Sequence, residues 1–202
     1  MNPTKLKIKD YLDSLPVDLL PLRNIGKRYL KYCSSIDNDG CIQIAHRPWL
    51  GCFNYALMFF PPAKKTWIKK HREIPESYQR LLLASNGVFA FGFSLFGLAP
   101  SMQKKPPLLD RSKLQCLDLS LANCDWIKEY DVDQRMFHFG GRHYSYTENI
   151  GYFMSEDSLI CAFRKTGELH REWRNFSSFL SEELRVAEQN AQDNSENHWL
   201  DS

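Results

Sequence analysis

The chain has 202 residues, of which 43% are hydrophobic and 13% aromatic, and its formal net charge at neutral pH is +2. This length and apolar content predict one domain with a full core, at most with an extension, and exclude two large domains. The charge is uneven: residues 1–101 carry 14 Lys and Arg against 7 Asp and Glu, and residues 102–202 carry 12 against 17. The pattern indicates either an electrically polar molecule, which steers partners, or an ordinary mixed surface.

Residues 1–28 predict a short helical extension that is interrupted by Pro16 and Pro21. The amino terminus has no apolar run of the length that a signal peptide or a membrane span needs, so we expect a cytoplasmic protein with no membrane partner. The cysteines include no CxxC pair, and in a reducing compartment we expect them to be small core residues without disulfides. They lie at six positions: Cys33, Cys41, Cys52, Cys116, Cys124 and Cys161.

Residues 29–189 predict one α+β domain. Its first strand-like runs, residues 29–33 and 41–45, flank a segment rich in Asp, Asn and Gly that accepts turn geometries. We therefore expect a hairpin there. Residues 63–72 follow as a predicted helix.

A second helix is predicted over residues 74–87, with both of its ends marked in the sequence. Pro75 suits the first helical position, and Asn86-Gly87 stops the helix. An apolar stripe with a small residue at its end indicates one buried face. The stripe consists of Tyr78, Leu81, Leu82 and Ser85. The aromatic run over residues 88–97 is strand-like.

The second half predicts a loop, a helix and an antiparallel meander. Residues 102–110 resemble an inserted surface loop, and a helix is predicted near residues 122–130. Ser177 opens a final helix, whose apolar stripe contains Phe179, Leu180, Leu184 and Ala187. Residues 190–202 have too little apolar surface to bury and are expected to be a mobile polar tail. The predicted strands are residues 136–139, 150–154, 159–164 and 168–173.

Two blocks of this sequence, in this order, resemble a known family. The first is the Pro-initiated helix of residues 74–87 with its Asn-Gly end, followed by a strand-like run that ends in Phe96-Gly97. The second lies between Asn149 and Leu184 and contains Ile150-Gly151-Tyr152-Phe153, Asp157-Ser158-Leu159-Ile160, Thr166-Gly167-Glu168, Trp173 and Ser177-Ser178-Phe179-Leu180. Together they resemble the SUKH superfamily, which includes fungal regulators of cell-wall synthesis and many bacterial immunity proteins. The resemblance spans residues 64–190, whereas residues 1–63 form a longer lead-in than the family leads us to expect.

The resemblance implies an α+β fold with a mostly antiparallel sheet packed against helices, here preceded by the N-terminal extension. It also implies a non-catalytic protein-binding domain, and among bacterial members an immunity protein that neutralises a cognate toxin by binding and masking it. An intracellular regulatory scaffold that binds several partners, like the fungal members, is the alternative. A metal- or phosphate-handling enzyme is a third hypothesis, which rests on residue types alone. The oligomeric state is left open.

The sequence contains no GxGxxG, P-loop, GxSxG or HExxH motif, and we expect no catalytic residue and no cofactor. Cys33, Cys41, His46 and Cys52 have side chains of the kind that bind zinc, but their spacings of eight, five and six residues differ from short paired knuckles. Buried thiols are the alternative interpretation. Residues 140–143, Gly-Gly-Arg-His, indicate either an anion-binding turn with Arg142 or an ordinary glycine loop between strands.

Lysines surround Trp67 within residues 63–72, the combination that phosphate contact and base stacking require. Helical spacing places Trp67, Ile68 and His71 on one face, which is typical of an amphipathic surface helix. The net charge of +2 also lacks the basic excess of nucleic-acid-binding proteins, so we expect a protein partner instead.

Residues 125–133 are the most interface-like segment, because carboxylates alternate there with amphipathic aromatic residues. Such a surface suits a basic protein partner. The alternative is a solvated helix end whose aromatic side chains point inward. The candidate partner contacts are Asp125, Trp126, Glu129, Tyr130, Asp131 and Asp133.

Overall fold

The computed structural model describes residues 2–46, 55–71, 73–98, 119–123, 130–143 and 149–193. The helices are α1 (Pro3–Ser14), α2 (Leu20–Tyr29), α3 (Lys65–Ile68), α4 (Glu76–Ala84), α5 (Leu119–Ala122) and α6 (Phe176–Asp193), with a 3₁₀ turn over Val17–Leu19. The strands are β1 (Ser34–Ile36), β2 (Ile42–His46), β3 (Tyr55–Phe59), β4 (Val88–Ala90), β5 (Phe93–Leu95), β6 (Phe137–His143), β7 (Asn149–Met154), β8 (Ile160–Arg164) and β9 (Leu169–Trp173).

The nine strands in the described part of the chain form one antiparallel meander, in which each strand pairs with the next along the sequence. Residues that pair directly across an antiparallel ladder share a face of the sheet. Phe59 pairs with Val88, and Val88 with Leu95, on the face that carries the main core. Helices pack on this face, which we call the helix face. The prediction of an α+β fold with a mostly antiparallel sheet packed against helices is confirmed.

Helix α6 lies on the helix face of the central strands. The ring of Phe179 contacts those of Tyr152 at 4.9 Å and Phe139 at 5.5 Å between centroids. The predicted apolar stripe of this helix is buried along its whole length. The helix begins at Phe176, one residue before the predicted start, because the side chain of Asn175 accepts a hydrogen bond from the backbone of Ser178 at 2.8 Å and caps the first turn.

Helix α4 is fixed to the sheet by Tyr78. All four residues of its predicted stripe are buried, and the Tyr78 hydroxyl lies 2.6 Å from the carbonyl oxygen of Phe96 and 3.0 Å from that of Phe139. The predicted helix is therefore confirmed, although Pro75 stands at the N-cap and the first helical residue is Glu76. A buried tyrosine stabilises packing here because its hydroxyl has acceptors within reach.

The Asn-Gly pair that ends α4 also joins it to the chain beyond β5. The Asn86 side chain donates to the carbonyl of Leu98 at 2.5 Å and accepts from the Leu98 backbone N–H at 2.8 Å. Gly87 has a φ of 104°, which favours glycine. A Cβ at Gly97 would overlap the backbone carbonyl of Asn86. The first block of the family resemblance thus folds into one hydrogen-bonded unit.

The N-terminal helices share the main core. Ile8 and Leu12 of α1 and Leu22 of α2 are fully buried, and the rings of Tyr11 and Phe59 meet edge to face at 5.6 Å. Helix α1 stops at Ser14, before Pro16, as predicted. The interruption predicted at Pro21 is wrong, because Pro21 lies in the first turn of α2, where no backbone donor is needed. The predicted extension is therefore helical, and its apolar side chains complete one end of the core.

Two predicted elements near the amino end are wrong. Residues 29–33 form no strand, because α2 continues to Tyr29 and β1 begins only at Ser34; the hairpin then forms between β1 and β2. The helix predicted over residues 63–72 is reduced to the single turn of α3, since the chain needs the following residues to turn back into α4.

The strand predicted over residues 88–97 is in fact a hairpin of β4 and β5. Phe91 and Gly92 form its two-residue turn, with φ angles of 51° and 86°. Both positive angles are typical of a type I′ turn, which favours glycine or asparagine. Because phenylalanine occupies the first turn position, the sequence does not indicate the turn. The Phe91 ring packs edge to face on Tyr29 at 5.1 Å, and this contact offsets the strained backbone.

The predicted meander of β7, β8 and β9 is confirmed, and Gly167 adopts the positive φ of 79° that its hairpin requires. Strand β6 is longer than predicted and ends at His143. Helix α5 ends at Ala122, where the predicted helix was to begin, and residues 124–129 lie outside the described part. The predicted loop at residues 102–110 and the tail beyond residue 193 also lie outside it.

We predict that Asn86→Ala lowers the free energy of unfolding by about 1–3 kcal/mol, because the Leu98 backbone loses both hydrogen bonds to the Asn86 side chain. Urea denaturation measures this change. Asn24→Ala on the exposed surface of α2 is the matched control and should leave stability unchanged or slightly raised. Equal effects of the two substitutions would contradict the role given to Asn86.

Candidate functional site

The described end of the predicted contact segment, residues 130–133, lies against the face of the sheet opposite the helices. Tyr130 contacts the rings of His138 at 5.3 Å and Phe153 at 5.5 Å, and His138 and Phe153 stack at 4.3 Å. A Cβ at Gly151 would lie 2.8 Å from the Tyr130 ring, so glycine makes room for it. The Tyr130 side chain therefore packs on the sheet and anchors the segment to it.

The carboxylates that follow Tyr130 are turned to solvent. Asp131 and Asp133 are exposed, while the Asp131 backbone N–H donates to the carbonyl of Lys165 at 3.1 Å. A side-chain hydrogen bond from Arg135 holds the pKa of Asp133 at about 2. Asp125, Trp126 and Glu129 lie outside the described residues. The structure thus places two of the six candidate contacts as exposed carboxylates and one as an intramolecular anchor.

Further carboxylates lie at the turn between β7 and β8. Glu156 and Asp157 are exposed there. Glu156 also acts on Arg135 electrostatically, and Asp133 and Arg135 form an ion pair at 2.7 Å. We call Asp131, Asp133, Glu156 and Asp157 the acidic surface. Its chemistry suits a cationic protein surface.

The prediction that residues 140–143 form a glycine loop or an anion-binding turn is wrong. These residues lie inside β6, where Gly140 pairs with Leu95 and Arg142 pairs with Phe93. A β-bulge precedes them, between His138 and Gly140. A Cβ at Gly140 would lie 2.6 Å from the Ser94 carbonyl oxygen, so the glycine permits close strand packing. Arg142 consequently points to the core and not to a bound anion.

Arg142 forms a buried ion pair with Glu183 of α6. The guanidinium Nη1 lies 2.6 Å from Glu183 Oε2, and the side chains are 2% and 1% exposed. The Tyr152 hydroxyl of β7 donates to the same carboxylate. Burial raises the pKa of Glu183, and the nearby charge of Arg142 and the hydroxyl of Tyr152 partly offset this. We call these residues the buried triad.

Sequence reasoning missed Glu183, although a signal was present. Glu183 lies four residues after Phe179 and four before Ala187, on the apolar stripe of α6. A carboxylate at such a position must be paired or exposed. The paired partner could not be read from the sequence, because Arg142 belonged to a predicted loop.

The described part of the cysteine and histidine group forms no assembled site. Cys41 is buried, as expected for a core thiol, whereas Cys33 is exposed and not in the core; neither forms a disulfide. The side chain of His46 and all of Cys52 lie outside the described residues. Among the residues that the structure describes, no group of three or more His, Cys, Asp and Glu side chains could hold a metal ion.

A cleft of about 400 Å³ lies between α2 and α6. Its polar wall contains an ion pair of Arg28 with Glu188 at 2.7 Å, and the Tyr29 hydroxyl donates to Glu188 at 2.7 Å. Burial raises the pKa of Tyr29. The apolar floor contains Ile25 and Leu184. These contacts tie the N-terminal helices to α6.

Comparison of the chain with protein-family models, curated proteins and solved structures found no match. Within the described residues, no helix combines the length and the apolar character needed to cross a bilayer. The family resemblance therefore rests on the residues quoted above.

We predict that Arg142→Met costs about 3–5 kcal/mol of unfolding free energy, because it leaves the Glu183 carboxylate buried without its cation. The double variant Arg142→Met/Glu183→Gln keeps an acceptor for Tyr152 and should be more stable than the single variant. Urea denaturation measures both. Arg135→Met alters an exposed pair and should change stability little. A double variant that is less stable than Arg142→Met would contradict this account.

We also predict a pH dependence that is specific to Glu183. Its pKa is raised in the folded protein, so its contribution to stability is full below the pKa of an unfolded glutamate, about 4.3. That contribution is lost as the pH rises through the folded pKa. The stability of the wild type relative to Glu183→Gln should therefore fall between acidic and neutral pH, measured by urea denaturation across this range. A relative stability that rises with pH would show the opposite pKa shift.

Proposed function

We propose that this chain is a SUKH-like, non-catalytic protein-binding domain, and that it acts in the cytoplasm as an immunity protein that masks a cognate toxin. The observation that carries the proposal is the ordered pair of sequence blocks that resemble the family. Support comes from the first block, whose Tyr78, Asn86 and Gly97 join one helix to the sheet. In this interpretation the motif residues maintain a scaffold, and the partner is bound at the surface.

The acidic surface is our candidate for the toxin contact. Asp131 and Asp133 project from a segment that Tyr130 and the Lys165 carbonyl hold against the sheet. Such preorganisation lowers the entropy lost on binding, and exposed carboxylates accelerate association with a basic partner. A protein that masks a toxin requires a rigid, charged surface of this kind and does not require a catalytic group.

A regulatory scaffold that binds several partners is the second candidate. The observation that favours it is the uneven charge, +7 over residues 1–101 (14 minus 7) and −5 over residues 102–202 (12 minus 17), because opposite charges suit different partners. The glycine loop on which the enzyme hypothesis partly rested does not form, because residues 140 and 141 lie within β6.

The test is a tagged pull-down from the native cells, with the stoichiometry of each co-purifying protein measured. The proposal predicts one equimolar partner that kills cells when expressed alone and is harmless when this chain is co-expressed. Several substoichiometric and non-toxic partners would replace it with the scaffold. Absence of any partner would reopen the enzyme hypothesis.

We predict that Asp131→Lys weakens protection and slows association with that toxin by about tenfold at low salt, because it reverses one steering charge. Surface plasmon resonance measures the association rate, and survival of cells that express both proteins measures protection. Asp10→Lys on α1 is the matched control, since it makes the same charge change at another exposed site. Equal slowing by both variants would remove the acidic surface as the contact.

A further inference from the structure

A second strongly charged surface lies around α3. Its four lysines, Lys64, Lys65, Lys69 and Lys70, are all exposed, and we call them the lysine patch. Residues 61–73 contain five Lys and Arg residues and one acidic residue. The positive charge of the first half of the chain is therefore concentrated on this short segment.

The lysines of the patch differ from many other cationic side chains of this protein in whether a carboxylate lies beside them. Within the described residues, none of its lysines forms an ion pair, and Lys64 instead lies 5.2 Å from the centroid of the Trp67 ring. Elsewhere, several exposed cations have carboxylate partners. These pairs are Lys9 and Lys27 with Asp13, Arg28 with Glu188, Arg80 with Asp18, Arg135 with Asp133, and Arg171 with Glu182.

The arrangement does not favour local stability. Lys65 and Lys69 lie at i and i+4, where like charges destabilise a helix by about 0.2–0.5 kcal/mol. Folded proteins keep such local conflicts mainly where a site needs them. The excess positive charge of the lysine patch therefore indicates that an anionic partner outside this chain binds it.

The core holds the patch in place. The backbone N–H of Ala63 donates to the carbonyl of Leu82 in α4 at 2.8 Å, and both Ala63 and Ile68 are buried. Trp67 packs partly buried against the main core. Lys64 and Lys65 thus lie between two fixed residues, and the backbone N–H groups of Lys69 and Lys70 donate to the carbonyls of Lys65 and Trp67. Little backbone entropy is therefore lost on binding.

We infer that the lysine patch is a second contact surface, which binds an acidic segment of a partner protein. A carboxylate-rich polypeptide suits the patch better than a nucleic acid does, because the Trp67 ring is occupied by the core and by Lys64 and is not free for base stacking. The single turn of α3 is also shorter than a groove that tracks a phosphate backbone. The inference goes beyond the proposed toxin contact and does not depend on it.

Fluorescence anisotropy with labelled poly-L-glutamate tests the inference on the full chain. The variant Lys65→Glu/Lys70→Glu reverses two patch charges and places a carboxylate four residues before Lys69, a favourable helical spacing, so folding should be retained. The control Lys5→Glu/Lys7→Glu on α1 changes the net charge equally, from +2 to −2. We expect the patch variant to bind about tenfold more weakly than the control at low salt.

Equal weakening by both variants would overturn the inference, because bulk charge would then explain binding. A single-stranded oligonucleotide of matched charge that binds more tightly than poly-L-glutamate, with the same dependence on the patch, would replace it with a nucleic-acid surface. Light scattering of the chain without poly-L-glutamate should show no self-association. Self-association that the patch variant abolishes would instead make a second copy of the chain the partner. If the reversal variant is unfolded by circular dichroism, Lys65→Gln/Lys70→Gln and Lys5→Gln/Lys7→Gln replace the two variants.

Discussion

The buried ion pair between Arg142 and Glu183 is the interaction on which the arrangement of sheet and helices depends. It joins β6 to α6 across the main core, and the hydroxyl of Tyr152 adds β7 to the same carboxylate. A buried pair does not guarantee a net gain in stability, because both charges lose hydration. It does raise the free energy of any other position of α6 on the sheet, because a shift of the helix would leave the two charges buried and separated from each other. We therefore interpret the triad as a device that fixes register and position.

The two exposed charged surfaces rest on that fixed core. Tyr130 is seated on Phe153 of β7, directly beside Tyr152 in the chain, and carries Asp131 and Asp133 at the surface. Helix α3 is tied through Ala63 to α4. Tyr78 in turn fixes α4 to β6 and to Phe96, the residue after β5, through backbone carbonyl groups. Both proposed contacts are thus presented by segments that need no rearrangement.

Sequence reasoning predicted the elements whose signals are local. The stripe and the Asn-Gly end of α4 define that helix, and the turn residues around Gly167 define the last hairpin. It failed where tertiary packing overrides local preference. Phe91 adopts a positive φ whose cost its contact with Tyr29 offsets, and Gly140 lies in a strand, where the absence of a side chain permits the close approach of β5. Of the candidate site, the exposed acidic residues could be predicted, whereas the pairing of Arg142 with Glu183 required the register of the sheet.

Native-state hydrogen exchange at neutral pH is the measurement that tests the central role of the triad most directly. If the triad locks α6 to the sheet, amides of α6 around Glu183 and of β6 around Arg142 will exchange with the same free energy, which equals that of global unfolding. Exchange in α6 that is much faster than in β6 would show that the helix opens by itself. That result would contradict the account, because the buried pair would then not hold helix and sheet together.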